Sequence, residues 1–365
     1  MLLTHLSLQN FRSYKKTGFD FSPNSTVIIG PNTAGKSNLM EAIYLLSSGK
    51  SFRAEKKEMM IAFEKEMARV KGVIRQSAKG KARSEEKQEL EVMLTTGLVQ
   101  GIKTPLTRFL VNDVPKRRVD FAGILPAVLF APSDLEVIID GPALRREFLN
   151  QVLEQVSLEY RQAVSQYEKA LRQRNALLEM MRETGKRNPG QLTYWSDLLI
   201  RYGQVIAQER EMFLAFVNTE EKSLFQFRIE YDRSEISKER LEQYGREEVA
   251  AASTLVGPHR DDFQVHMHNT QESDIRFFGS RGQQRLAILQ LKLMQIDYIE
   301  KILGERPLLL LDDVFSELDE GHIKHVLGVI GRQQTIMTTT HKEFLSKSQL
   351  QDMAVIELGE PGKEQ

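Results

Sequence analysis

Apolar residues follow two rhythms along this chain, and the change of rhythm marks out its parts. Near the N-terminus they alternate. Leu6, Leu8 and Phe11 sit between polar neighbours and Phe19 and Phe21 repeat the step, which predicts a strand pair. Val27-Ile28-Ile29 is a short β-branched run that predicts a buried strand ending at Gly30. From Ser37 to Leu46 the spacing turns helical through Leu39, Met40, Ile43 and Leu46. Strand patterns return at Val70–Ile74, Leu90–Leu94 and Phe109–Val111, with Asn112-Asp113 as a turn and Ala127–Phe130 as a further buried strand. The charged stretch from Ala78 to Glu89 reads as an exposed loop.

The most regular pattern comes next. Leu149, Leu153, Val156, Tyr160, Ala163, Tyr167, Ala170, Leu177 and Met181 fall on alternating steps of four and three, with Arg174 interrupting one core position. That is a heptad seam. Asn188-Pro189-Gly190 breaks it, and Leu192, Trp195, Leu199, Tyr202, Ile206, Phe213 and Phe216 resume it with Glu209 at one core step. The pattern predicts an antiparallel hairpin of helices, each of roughly 30 to 35 residues and on the order of 50 Å long. A plain helical bundle satisfies the same spacing.

Beyond the hairpin, Phe225–Tyr231 alternates as a strand. Phe263–Val265 and Ile275–Phe277 flank His268-Asn269 as a β-hairpin would. Arg281–Leu303 is helical, Leu308–Leu311 is a buried strand of the parallel-sheet type, Gly321–Ile330 is a helix and Thr335–Thr339 a strand.

Composition narrows the reading. With 365 residues, 41% hydrophobic and 27% charged, the chain suits one large head with a subsidiary lobe. Lysine plus arginine equals aspartate plus glutamate at 50 each, so a nucleic-acid partner must use a local basic patch. Candidates are Lys56, Lys57, Lys79, Lys81, Arg83, Lys116, Arg117 and Arg118, each of which also suits an ordinary solvated face. There is no cysteine, which excludes disulfides and thiolate metal sites. The N-terminal residues lack a leader pattern, and a cytoplasmic protein without a membrane partner is expected.

Gly30-Pro31-Asn32-Thr33-Ala34-Gly35-Lys36-Ser37 fits G-x-x-x-x-G-K-[ST], and it lies after a buried strand and opens a helix. Glycine lets successive N–H groups point at phosphate oxygens, and the helix N-terminus adds its dipole. Lys36 is expected to reach the β- and γ-phosphates and Ser37 to ligate Mg²⁺. Asp312-Asp313, ending the Leu308–Leu311 strand, supplies the acidic partner. Carboxylates at the C-terminal end of a parallel strand lie where nucleotides bind. Asp312 is assigned to Mg²⁺ through water and Asp313 to polarising the attacking water.

Ser280-Arg281-Gly282-Gln283 opens a helix shortly before that strand and resembles the S-x-G-Q signature of ABC-type ATPases. Ser316-Glu317-Leu318-Asp319 resembles their D-loop. His341 stands where a switch histidine lies in such proteins, although an ordinary surface histidine fits as well. Across the chain, Asn10-Phe11-Arg12-Ser13-Tyr14, Lys50-Ser51-Phe52-Arg53, Phe130-Ala131-Pro132-Ser133-Asp134-Leu135, the Tyr167–Leu171 and Gln173–Leu178 strings, and above all Gly257-Pro258-His259-Arg260-Asp261-Asp262 resemble the RecF family of SMC-like ATPases.

That resemblance implies an α/β fold: an ABC-type ATPase head with an antiparallel sheet in its nucleotide-binding lobe, plus a helical second lobe bearing a short coiled-coil-like arm. The implied boundaries are 1–140 for the first part of the head, 141–250 for the helical lobe and 251–365 for the rest of the head. It implies a nucleotide set of Gly30 to Ser37 with Asn38 and Arg12, joined by Ser280, Gly282 and Gln283 of a sister subunit, and a catalytic set of Lys36, Asp312, Asp313 and His341. It further implies ATP-dependent homodimerisation and binding of gapped or junction DNA, single-stranded and duplex. With RecO and RecR as partners, the protein would help to load recombinase in the cytoplasm at the nucleoid. The Gly257–Asp262 string is expected to form a turn whose basic, polar tip faces the nucleotide or the sister subunit. Thr33 stands where glycine is commoner, and Asp313 is shorter than the glutamate of many ABC ATPases, which predicts slow hydrolysis. An ABC transporter subunit, a long-armed structural-maintenance protein and a small-molecule kinase are the alternatives. The first seldom has such a hairpin, the second has a longer arm, and the third lacks S-x-G-Q.

Overall fold

The computed structural model describes residues 1–77, 85–186, 188–267, 273–314, 331–340 and 353–359. Contacts divide the chain into two compact units, Met1–Asp134 with Gln295–Gln365, and Leu135–Met294.

The first unit holds two sheets. The alternating segments form a six-stranded antiparallel sheet in the order Tyr14–Asp20, Leu2–Phe11, Met67–Ser77, Glu85–Thr95, Thr107–Val111, Val114–Lys116. Asn112 and Asp113 both adopt positive φ (49° and 62°) and close the last hairpin in two residues, the backbone that such a tight turn demands. The strand after the Ala78–Lys81 region starts at Glu85, so the exposed loop expected up to Glu89 ends earlier: Glu85–Glu89 pair with Val73–Ser77 despite their polarity, because this part of the ladder has a solvent face.

The continuous apolar runs form a parallel sheet in the order Ala127–Phe130, Leu308–Asp312, Thr335–Thr339, Ser25–Ile29, Ala354–Glu357. The last of these strands, short and flanked by charge, escaped the sequence reading. The Lys36–Ser48 helix packs against strands of both sheets and is buried almost all round. Leu39, Met40, Ile43 and Leu46 join Leu6, Leu8, Val70, Val92, Ile28, Leu310 and Ile336 in one core. Parallel pairing sends every strand the same way, so Ile29, Asp312 and Thr339 end at a common edge.

The second unit is mainly helical. The seam expected to run through one helix is split into Pro142–Val156 and Leu158–Thr184, because Ser157 leaves helical geometry and its hydroxyl accepts from the Tyr160 N–H as a cap. Leu158–Thr184 pairs with Pro189–Thr219 as the arm, 27 and 31 residues long. Two short helices, Lys238–Gln243 and Gly245–Ala251, pack on it. Phe227–Asp232, Asp262–Met267 and Ser273–Asp274 make a small antiparallel sheet. Ile275–Phe277, expected as a strand, belongs to a helical turn, Ile275–Phe278, because Asp274 caps it. Residues 251–294, grouped with the head on sequence, cluster with this unit, where Asp261 and Asp262 pair with Arg210 and Arg145. The expected helix Gly321–Ile330 and the turn His268-Asn269 lie outside the described residues.

Candidate active site

The strand Ser25–Ile29 delivers the chain into the Gly30–Ser37 loop at the C-terminal edge of the parallel sheet. Gly35 has φ 97° and caps the following helix. A Cβ there would lie 2.9 Å from the Tyr14 hydroxyl, which donates to the Gly35 carbonyl at 3.1 Å, so the loop and the first hairpin approach too closely for any side chain. Thr33 carries a positive φ of 70°, the strain expected where glycine is usual. Pro31, Asn32 and Thr33 are exposed, Ala34 is half-buried and Gly30 is buried.

Lys36 is 7% exposed and its Nζ donates to the carbonyls of Gly30 at 2.7 Å and Pro31 at 2.9 Å. Burial pushes its pKa down, and Asp313 and Asp312 oppose that shift. Ser37 Oγ donates to Asp312 Oδ1 at 3.1 Å. Thr338, on the strand between them, donates from Oγ1 to the same carboxylate oxygen at 2.9 Å and accepts from the Asp313 N–H at 3.0 Å. One hydroxyl thereby fixes both acidic residues, and Asp313 takes a positive φ of 52°. Burial pushes the Asp312 carboxyl up; the hydrogen bonds from Thr338 and Ser37 and the charge of Arg53 hold it down.

A second layer supports the loop. Glu41, one turn into the helix and fully buried, binds the Arg12 guanidinium through two bonds of 2.8 Å and accepts from the Ser51 hydroxyl at 2.5 Å. Ser51 Oγ in turn accepts from the N–H groups of Arg53 and Ala54. Asn38 donates to Ser13 Oγ at 3.0 Å, and Arg53 lies 3.4 Å from its amide oxygen. Arg12 thus stands beside the loop, with Nη1 on the Met59 carbonyl. Sequence reasoning missed Glu41, Thr338 and Arg53. A carboxylate inside an apolar helix was the available signal for Glu41.

Ser280, Gly282 and Gln283 belong to the second unit. Ser280 N–H donates to Gln283 Oε1 at 2.8 Å and Gln283 N–H donates to Ser280 Oγ at 3.3 Å, a reciprocal capping box at the start of Arg281–Leu303. Ser280, Arg281 and Gly282 are exposed, so this helix start is accessible to a ligand.

A family model described as the RecF/RecN/SMC N-terminal domain matches residues 2–360. The DNA replication and repair protein RecF of Latilactobacillus sakei subsp. sakei strain 23K is 34% identical, over 95% of this chain and 94% of its own. That of Exiguobacterium sp. strain AT1b is 36% identical, over 97% and 96%. The chain belongs to the RecF family. Two solved structures, of the recombination mediator protein RecF-ATPrS and of RecF-ATP in the RecFOR pathway, are each 31% identical with a TM-score of 0.82; both cover 94% of this chain, and 94% and 93% of their own.

The most distinctive RecF-like string takes a place other than the one expected. Gly257–Asp262 does form a turn, with Arg260 N–H on the Gly257 carbonyl at 2.8 Å; Arg260 is exposed, but His259, Asp261 and Asp262 make their bonds inside the unit. Asp261, fully buried, accepts from Arg210 at 2.9 Å, from the Ser234 N–H at 2.8 Å and from the Tyr231 hydroxyl. Asp262 binds Arg145 through bonds of 2.6 and 3.0 Å. His259 Nε2 faces the Thr254 carbonyl at 3.0 Å and therefore carries the hydrogen, which leaves Nδ1 to accept from Tyr167 at 2.7 Å. Gly257 has φ 119°, and a Cβ on it would meet the Tyr167 hydroxyl at 2.4 Å. The expected nucleotide-facing tip is an internal brace, because buried acid and base are mutually satisfied there.

Two members of the basic cluster are tied to nearby groups. Lys56, Lys57, Lys116 and Arg117 are exposed, Arg117 pairing with Asp120 at 2.8 Å, while Arg118 is half-buried and donates to the Ser48 carbonyl at 3.1 Å. Lys79, Lys81, Arg83, the Ser316–Asp319 segment and His341 lie outside the described residues.

Proposed function

We propose that this RecF-family chain is a DNA replication and repair ATPase that binds ATP with Mg²⁺ at the parallel-sheet edge and uses it chiefly to close on a second copy. The observation that carries this reading is the meeting of Ser37 and Asp312, 275 positions apart, through a 3.1 Å hydrogen bond beside the N-terminus of the phosphate-loop helix. A hydroxyl and a single carboxylate suit Mg²⁺, which keeps its remaining positions for water and phosphate oxygens. The ion would neutralise charge on the β- and γ-phosphates, held by Ser37 directly and by Asp312 through water. Lys36, already confined to the loop, exchanges carbonyl oxygens for phosphate oxygens. Asp313 orients the attacking water. It is a short side chain whose backbone is tied to Thr338, so it positions that water poorly and turnover is slow. His341 is assigned to complete the catalytic set.

The nucleotide set is Gly30 to Ser37 with Asn38 and Arg12. The open helix start at Ser280, Gly282 and Gln283 offers N–H groups to the γ-phosphate held by the sister head. A solved relative described as the recombination mediator protein RecF-ATP in the RecFOR pathway supports the nucleotide and RecO and RecR as partners; with them the protein would help to load recombinase on single strands at gaps or junctions. Relatives named as DNA replication and repair protein RecF, matched over nearly the whole chain, favour this reading over a transporter subunit, and we place the protein in the cytoplasm at the nucleoid. Sizing in solution tests the proposal. The wild type should become a dimer with ATP, Ser280→Arg should bind ATP and remain a monomer, and Lys36→Arg should weaken nucleotide handling. Turnover of hundreds per second without DNA, or a Ser280→Arg variant that dimerises normally, would refute it.

A further inference from the structure

Immediately before the signature helix the chain exposes two neighbouring aromatic rings. Phe277 is 69% and Phe278 70% exposed, an apolar pair that water disfavours. They do not ride on a loose loop. Ile275, 1% exposed, anchors their turn in the core of the second unit. Asp274 caps it through the Arg276 N–H at 2.9 Å and holds the Arg276 guanidinium at 3.1 Å. Gln284, 5% exposed on the signature helix, reaches back and donates to the carbonyls of Ile275 at 3.1 Å and Arg276 at 3.2 Å. Gly279 closes the junction, and a Cβ there would stand 2.6 Å from the Ile275 carbonyl oxygen. From Asp274 to Gln284 the aromatic turn and the Ser280–Gln283 capping box are therefore one preorganised piece. Arg276 lies 4.3 Å from the Phe277 ring and stiffens it further.

We propose that Phe277 and Phe278 are the apolar anchors of the ATP-closed interface, seated on a second copy of this chain. The inference rests on the reading that Ser280 faces the sister nucleotide. Phe278 is two residues from Ser280, at most about 7 Å along the chain, so whatever covers the signature covers the rings. The signature groups themselves are polar and small. A stable interface needs on the order of 800 Å² per partner and draws most of its energy from a few rigid aromatic and arginine side chains near the centre. Here two such rings are held in place beside exposed Arg281, and a positive rim of this kind is complementary to the edge bearing Asp312, Asp313 and a bound triphosphate.

The chain lacks cysteine, so Phe278→Cys carries a single environment-sensitive thiol dye without further changes. Its emission should shift to the blue when ATP is added, and only at concentrations where sizing shows dimer. Phe277→Ser with Phe278→Ser should raise the ATP-dependent dimer Kd at least about 100-fold, with monomer affinity for a fluorescent ATP analogue unchanged. The exposure of both rings makes the fold tolerant of the change, and that analogue binding verifies it. If the double variant dimerises like wild type while Ser280→Arg stays monomeric, the rings lie outside the interface and the inference falls alone. If Ser280→Arg dimerises as well, the underlying reading falls with it. Loss of DNA binding with ATP dimerisation intact would assign the rings to nucleic acid and overturn the proposal.

Discussion

The Gly30–Ser37 loop and the Gly257–Asp262 string look alike as sequence: each combines glycine, proline and charge in a short turn after an apolar segment. Their bonding is opposite. At the phosphate loop, Lys36 rests on two backbone carbonyls, and among the described residues Asp312 accepts from two hydroxyls although it is buried and its carboxyl is pushed up. In the string, Asp261 has three donors, Asp262 a two-pronged arginine and His259 a partner on each nitrogen. Charge matched only by hydroxyls and backbone carbonyls, with no opposite side-chain charge bonded to it among the described residues, suits a site held ready for something else. Charge that is fully matched holds the unit together. The difference separates a reaction site from a brace where motif content does not.

Substitution at the brace should give the largest effect. Arg210 is 4% exposed and also bonds Tyr160, Asn150 and the Pro258 carbonyl. Asp261→Ala leaves that guanidinium buried without its counter-charge, a loss of about 3–5 kcal/mol. Thermal or denaturant unfolding should show it, and a variant within about 1 kcal/mol of wild type would mean that the cluster is not a brace. At the reaction site the balance reverses. Asp312→Asn keeps an acceptor for Ser37 and Thr338 and removes a charge that burial disfavours, so stability should stay within about 0.5 kcal/mol or rise. ATP hydrolysis should fall roughly 100-fold or more, because the carboxylate's work is electrostatic. A variant that unfolds as readily as Asp261→Ala, yet hydrolyses normally, would invert the comparison.

How far the chain could be read follows from the same contrast. Strands and helices were legible because burial of apolar faces imposes a period, and the phosphate loop was legible because backbone approach to phosphate demands glycine at fixed spacing. Buried polar residues leave no such trace. The heptad seam placed Glu209 in the core, but the fully enclosed residue is its neighbour Arg210, while Glu209 accepts from Ser157 at the helix junction. Arg174, which looked like an interruption, is itself core: it binds Glu248, Thr254 and Ser196. The Lys116–Arg118 cluster, a charge run on paper, exposes Lys116 and Arg117, the latter paired with Asp120, and half-buries Arg118 on the Ser48 carbonyl. Which polar atoms meet is settled by tertiary approach, and one chain's residue order does not record it.

His259 gives the smallest and most selective test. Burial pushes its pKa down to about 4 from 6.5, with Arg260 and Arg146 adding to the shift and Asp261 opposing it. Its hydrogen bonds require the neutral ring, with Nδ1 as acceptor for Tyr167. The folded chain therefore resists a proton that the unfolded chain accepts between pH 6.5 and 4. This contribution is fully present above pH 6.5 and is lost as pH falls toward 4, at up to about 1.4 kcal/mol per pH unit and on the order of 3 kcal/mol in all. His259→Gln should lower stability at pH 7 through the poorer fit, but it should remove about one proton from the slope of unfolding free energy between pH 6 and 4.5. Nucleotide affinity at pH 7 should not change, because the brace and the phosphate loop belong to different units. Equal slopes in the two proteins would show that His259 is not held neutral. A loss of ATP binding at pH 7 in a folded variant would return the Gly257–Asp262 string to the nucleotide and erase the distinction drawn between the two turns.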